Sequence, residues 1–168
     1  YPRGASEGVE LKDQPGLLEL GKAEVIRNFE NTGHPKIVIF GLGNLNSMAC
    51  KAADELTALH FDLAVINPRF TKPIDEATTE YFSKTADQIV TIEDHVLPGG
   101  YGSVVSELLV EKGISTPLLR IGWPDQFIEH ASSVSELREK YGLTSQAIAA
   151  QIKSASSTKA SSKAKAVA

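Results

Sequence analysis

The chain has 168 residues, 42% of them hydrophobic, which suits one α/β domain with a real core and is too short for two ordinary ones. Its net charge of −4 is unevenly placed: four of the 17 basic residues and none of the 21 acidic ones fall in residues 151–168, leaving residues 1–150 at −8. An acidic body argues against a nucleic-acid partner, no apolar run reaches the length of a membrane span, and no signal peptide is visible. The lone Cys50 excludes an internal disulfide and a cysteine-based zinc cage, and its place in a helical pattern points to packing.

Tyr1-Pro2-Arg3-Gly4 reads as the end of something rather than a beginning, so the chain is expected to be the C-terminal piece of a longer protein. Residues 5–20 hold Gly8, Pro15 and Gly16 without a sustained period, as a connector does. Gly21 to Arg27 alternates as a half-exposed edge strand. Lys36 to Leu42 is a continuous apolar run, expected of a strand covered on both faces. The loop Gly41-Leu-Gly-Asn-Leu-Asn leads into a helix with Met48, Ala49, Ala52, Ala53, Leu56 and Leu59 on one side. Phe61 to Ile66 is the next buried strand, and Asp75 is placed to cap a helix from Glu76 to about Thr85.

The most informative stretch follows. Ile89 to Ile92 reads as a buried strand, Glu93-Asp94-His95 as its acidic exit, and Pro98-Gly-Gly-Tyr-Gly-Ser as a turn opening a helix that stops at Gly113. Ser103 is placed to cap that helix. Strand, glycine turn and helix can aim backbone N–H groups at an anion, so Gly99, Gly100, Gly102 and Ser103 are candidates for an anion-binding turn or a purely structural one. Pro117 to Ile121 is the last strand, Gly122 to Phe127 a loop, and helices are expected from Ser133 to Tyr141 and from Ser145 to about Ser154, the latter capped by Thr144. The Ser, Ala, Thr and Lys of residues 154–168 are expected to form a disordered tail.

Strands alternating with helices at this spacing predict a mostly parallel, doubly wound sheet with helices on both faces. Ligands of such sheets bind beyond the carboxyl ends of the strands, where the strand order reverses. The two glycine loops are expected to flank that crevice. A dinucleotide is disfavoured: Asn46 stands at the third glycine position, and Asn67-Pro68 ends the next strand where an acid is wanted. Neither loop has the lysine of a phosphate-binding P-loop. Glu93, Asp94 and His95 alternate in direction along an extended exit and cannot all converge on one ion. His34 and His60 fall in turns, where solvated side chains are the default, and His130 sits in a loop.

Tyr1-Pro-Arg-Gly, Arg69-Phe-Thr-Lys-Pro-Ile-Asp, Thr91-Ile-Glu-Asp with Gly99-Gly-Tyr-Gly-Ser, and Ile121-Gly-Trp-Pro-Asp-Gln-Phe-Ile-Glu-His occur in matching order and together resemble one family. It is the 1-deoxy-D-xylulose-5-phosphate synthase family, within the wider transketolase group, and the likeness is to its C-terminal part over about residues 1–152. The resemblance implies an α/β, three-layer αβα domain with a five-stranded, mostly parallel sheet and one antiparallel edge strand. Residues 1–20 would end a preceding pyrimidine-binding-type domain and its connector, 21–153 would form the domain, and 154–168 lie beyond the likeness.

For the full-length protein the resemblance implies a transferase and homodimer that uses thiamine diphosphate and Mg²⁺ to join a two-carbon unit from pyruvate to glyceraldehyde 3-phosphate. That reaction feeds isoprenoid, thiamine and pyridoxal synthesis, in bacterial cytoplasm or plant and algal plastid stroma. The cofactor ligands belong to the preceding domains, so no catalytic or metal-binding residue is expected in this chain, which alone should bind neither cofactor and be inactive. Arg3 matches the arginine that grips the substrate phosphate. Two departures are Ala131, where the family has glycine, and Trp123, where smaller residues are usual. The other readings are a stand-alone small-anion-binding or regulatory α/β module, and the C-terminal domain of a transketolase or 2-oxo-acid dehydrogenase subunit.

Overall fold

The computed structural model describes residues 16–129 and 133–166, with side chains to residue 157. Five strands form one sheet: β1 (Glu24–Arg27), β2 (Lys36–Gly41), β3 (Asp62–Asn67), β4 (Gln88–Val96) and β5 (Leu118–Trp123), in the order β1-β3-β2-β4-β5. All pairings are parallel except β1 with β3, so β1 is the antiparallel edge the sequence led us to expect. It begins at Glu24 rather than Gly21, because Gly21 turns the chain at φ +71°.

Alternate residues of β2 face opposite layers, as the pleat requires. Ile37 and Ile39 pack against helix α1 (Asn46–Thr57) through Ala49, Ala52, Ala53 and Leu56, and against α5 (Ser145–Ala166) through Ile148 and Ile152. Val38 and Phe40 pack on the other side against Phe82 of α2 (Glu76–Thr85) and Tyr101, Val105 and Leu109 of α3 (Tyr101–Glu111). Near-complete burial of β2 explains its unbroken apolar run. Leu59, expected on the buried side of α1, lies past the helix end and is exposed.

The chain runs from β2 to β3 by way of α1, then returns across the sheet through α2 to β4. The strand order therefore reverses between β2 and β4, and the two glycine loops do flank that point.

Local chemistry fixes most helix ends. Asp75 accepts hydrogen bonds from Thr78 N (3.1 Å) and Thr78 Oγ1 (3.0 Å), and also from Ala23 N (3.0 Å), so one cap ties α2 to the lead-in of the edge strand. Helix α4 (Val134–Lys140) starts on a capping box between Ser133 and Glu136. Thr144 Oγ1 accepts from Ala147 N, as expected for α5.

Two sequence expectations are corrected. Helix α5 continues to Ala166, past the expected end near Ser154 and through the expected tail. Alanine and lysine rank among the strong helix formers, and no glycine or proline interrupts them, so helix propensity favours carrying the chain on. Strand β4 runs to Val96, so Glu93, Asp94 and His95 belong to the sheet rather than to an exit from it. No helix among the described residues is long and apolar enough to cross a membrane.

Candidate functional site at the carboxyl ends of the strands

Because β4 stays extended through Val96, Glu93 and Asp94 project from opposite faces. Glu93 is fully buried beneath the first turn of α3. Its Oε2 accepts from Tyr101 N at 2.5 Å and its Oε1 from Gly102 N at 2.9 Å. These are the N–H groups that the glycine turn was expected to aim at an anion. The carboxylate sits where the unpaired amides and helix dipole favour negative charge. The cradle is real, and the chain fills it with its own side chain.

The three glycines divide by cause. Gly99 has φ +72°, the left-handed region, with open space where a Cβ would go. Gly100 and Gly102 are required by proximity instead. A Cβ on Gly100 would lie 2.1 Å from Glu93 Oε2, and one on Gly102 would lie 2.6 Å from Thr91 Oγ1. Ser103 is not the cap expected of it. The helix starts three residues earlier, with Gly100 at the N-cap, and the Ser103 hydroxyl accepts from Gly99 N (3.1 Å) and donates to Leu97 O (3.1 Å). It holds the turn together from within the helix. Arg120 Nη1 donates to the same hydroxyl at 3.0 Å.

Asp94, on the other face, gathers three segments. Its Oδ1 accepts from Trp123 Nε1 at 2.5 Å, while Oδ2 accepts from Asn44 Nδ2 at 2.7 Å and from Arg138 Nη2 at 3.3 Å. Asn44 belongs to the first glycine loop, Trp123 ends β5, and Arg138 lies on α4, so Asp94 spans the reversal point. Partial burial works to raise its pKa, but the hydrogen bonds from Trp123 and Asn44 and the charge of Arg138 outweigh that. The carboxyl is held below its ordinary value. Leu42 N donates to Ile92 O at 2.9 Å and closes the crevice further. The bulky Trp123, a departure from the resembled family, has its indole N–H satisfied by this carboxylate.

Sequence reasoning named Asp94 without its partners, and did not single out Asn44 or Arg138. The partners lie 50, 29 and 44 residues away along the chain, beyond any local spacing signal. Arg3 and His130 lie outside the described residues. Cys50 is half-buried on α1, and burial pushes its thiol pKa up, the reverse of an activated nucleophile. His34 and His60 are at the opposite end of the sheet.

The chain matches the transketolase C-terminal domain family over residues 21–148. It belongs to that family. The match covers the sheet and both glycine loops, and it ends within α5. Among curated relatives, the 1-deoxy-D-xylulose-5-phosphate synthase of Methylacidiphilum infernorum (isolate V4) is 46% identical over 144 residues, 86% of this chain and 22% of its own length. The synthase of Acidobacterium capsulatum is 46% identical over 147 residues, 88% of this chain and 22% of its own length. This transketolase C-terminal domain thus spans about a fifth of the length of those relatives. A solved structure titled "Split gene transketolase, inactive beta4 tetramer" superposes with a TM-score of 0.72 at 30% identity, covering 82% of this chain and 43% of that one.

Proposed function

We propose that this chain is the C-terminal portion of a 1-deoxy-D-xylulose-5-phosphate synthase, and that the domain supports the architecture of an active site built by the domains before it. The observation that carries the scaffold role is Glu93. The α3 amides that could receive a substrate or cofactor anion are taken by a buried carboxylate of the same chain. A free-standing anion-binding module would need those amides vacant, so the geometry favours the scaffold over that alternative.

In this reading the full-length enzyme is a homodimeric transferase acting on pyruvate and glyceraldehyde 3-phosphate. Thiamine diphosphate and Mg²⁺, when bound to the full-length protein, would supply the electron-sink chemistry for joining the two substrates. The described residues do not fit that cofactor. The two helix-start amides are occupied, and no three His, Cys, Asp or Glu side chains among them converge on a cation. Its ligands would come from preceding domains. Arg3 would stand at their edge and offer its planar guanidinium to the acceptor's phosphate.

Two measurements test this. The 168-residue chain alone should show no synthase activity, and thiamine diphosphate with Mg²⁺ should leave its Tm unchanged, since only a ligand bound by the native state raises it. In the full-length enzyme, Arg3→Ala should cost about 2–4 kcal/mol in capture of glyceraldehyde 3-phosphate while sparing pyruvate decarboxylation. Arg3→Lys should recover only part, because an ammonium lacks the fork. A saturable Tm shift in the isolated chain would overturn the scaffold role, and equal losses in both half-reactions would overturn the phosphate role.

A further inference from the structure

Of the ten large hydrophobic side chains exposed among the described residues, five fall within residues 17–26: Leu17, Leu18, Leu20, Val25 and Ile26. Single exposed apolar residues are ordinary on a protein surface, but a run of this kind marks a surface that another covers. Val25 and Ile26 are neighbours on β1, so their side chains project to opposite faces of the sheet. They are 45% and 43% exposed, so neither helical layer reaches over this edge.

We infer that this edge, from Leu17 to Ile26, is where the domain docks on an apolar flank of the portion that precedes it in the full-length protein. The inference rests on the reading of the chain as the C-terminal portion of a synthase, and it names the surface through which the scaffold role is exercised. The chain spans 22% of the length of its two relatives above, so in that reading most of the protein lies outside it. That remainder is tethered at the lead-in to β1. The apolar strip sits beside the tether, where the effective concentration of the preceding portion is highest.

The strip is anchored from behind. A Cβ on Gly21 would lie 2.9 Å from Pro73 Cγ, and Ala23 N donates to Asp75 Oδ2 at 3.0 Å, so the lead-in is held against the start of α2 while its leucines stay in solvent. Charge does not guard it either. Free charges commonly protect exposed sheet edges, but Glu24 pairs with Arg69 at 2.9 Å and Arg27 pairs with Asp54, so both charges of β1 are met within the domain. Strand β1 is only four residues long, and its register with β3 shifts between Val25 and Arg27, which disfavours the addition of a further strand. The cover is therefore a packed apolar surface, met by side chains rather than by a backbone ladder.

The test compares amide hydrogen exchange in the 168-residue chain and in the full-length protein, with synthase activity of the latter measured in parallel. Residues 17–26 should exchange at least about tenfold more slowly in the full-length protein. Leu18→Lys combined with Leu20→Lys, both at exposed positions, should leave the Tm of the 168-residue chain unchanged and abolish that slowing. Val110→Lys, at an exposed apolar position on α3, should preserve it. Equal exchange in the two proteins, or slowing that survives the double substitution, would overturn the docking surface even in an active synthase. Slowing in a full-length protein without that activity would overturn the synthase reading and leave the surface standing. Slowing that grows with concentration in the shorter chain alone would overturn the preceding portion as the occupant, in favour of a second copy.

Discussion

At the carboxyl end of the sheet, Glu93 and Asp94 meet donors from Tyr101, Gly102, Trp123, Asn44 and Arg138. At the amino end, His34 and His60 face each other across a depression, and their rings have no hydrogen-bond partner among the described residues. Doubly wound sheets commonly bind ligands at the first of these ends. In this chain that end is closed by its own carboxylates, while at the second the two imidazoles stay exposed to solvent. The topology that creates a crevice does not oblige a domain to keep it open. A buried glutamate one residue before an aspartate, on an extended strand, is enough to close it from both faces.

The comparison is broken most severely at Glu93. Glu93→Ala leaves the Tyr101 and Gly102 amides unpaired under a buried turn, and each such loss costs about 1–3 kcal/mol. Denaturant unfolding should therefore show roughly 3 kcal/mol of destabilisation. Glu93→Gln keeps one acceptor but turns an amide NH₂ toward the second donor, and should lose about half as much. If sulfate restores Glu93→Ala and leaves the wild type unaffected, the side chain is standing in for an anion. Stabilisation of the wild type by sulfate would show instead that amides remain free and that the closed-end description is wrong.

Asp94 comes next, with about 1–3 kcal/mol expected for Asp94→Ala, since three donors lose a charged acceptor. Its folded pKa is lowered, so its stabilisation is present above the ordinary carboxylate range and is lost as pH falls through the folded value. Asp75, whose burial is outweighed by hydrogen bonds from Ala23 and Thr78, is also lowered and contributes with the same sign. Acid should thus weaken the wild type more than Asp94→Ala. Trp123 is the chain's single tryptophan, so its fluorescence should change with the same acid transition in the wild type alone. Parallel stability–pH curves for the two proteins would remove Asp94 from the account.

Helix α2 shows what was legible in advance. Its bounds and its Asp75 cap follow from a contact three residues long, which spacing reports directly. The β2 run was legible because burial on both faces leaves no alternation to misread. Glu93 was visible as an acid but not as the filling of the α3 cradle, because the sequence shows neither how far β4 extends nor which face receives each side chain. Ser103 was misplaced for a related reason. Serine commonly precedes a helix, but here the close approach of Glu93 moves the N-cap back to Gly100. The His34–His60 pair depended on the β2–β3 register, which no window of sequence contains.

The smallest expected effect separates two reasons for glycine within one turn. Gly99 needs its backbone angle: its φ of +72° costs a residue with a Cβ about 1–2 kcal/mol, while the space around it is open. Gly100 needs its missing Cβ, because a methyl there would lie 2.1 Å from Glu93 Oε2 and 2.8 Å from Val96 O. Gly99→Ala should therefore cost about 1 kcal/mol, and Gly99→Asn should recover most of it, since asparagine tolerates the left-handed region. Gly100→Ala should cost more, and asparagine there should not help, because the obstacle is the carboxylate and the carbonyl rather than the angle. A Glu93→Ala background sharpens the contrast. Removing the carboxylate should make Gly100→Ala less costly and leave the cost of Gly99→Ala unchanged, a coupling that a double-mutant cycle reads directly. If both alanines respond alike to the loss of Glu93, the division of the turn into an angle and a close approach fails.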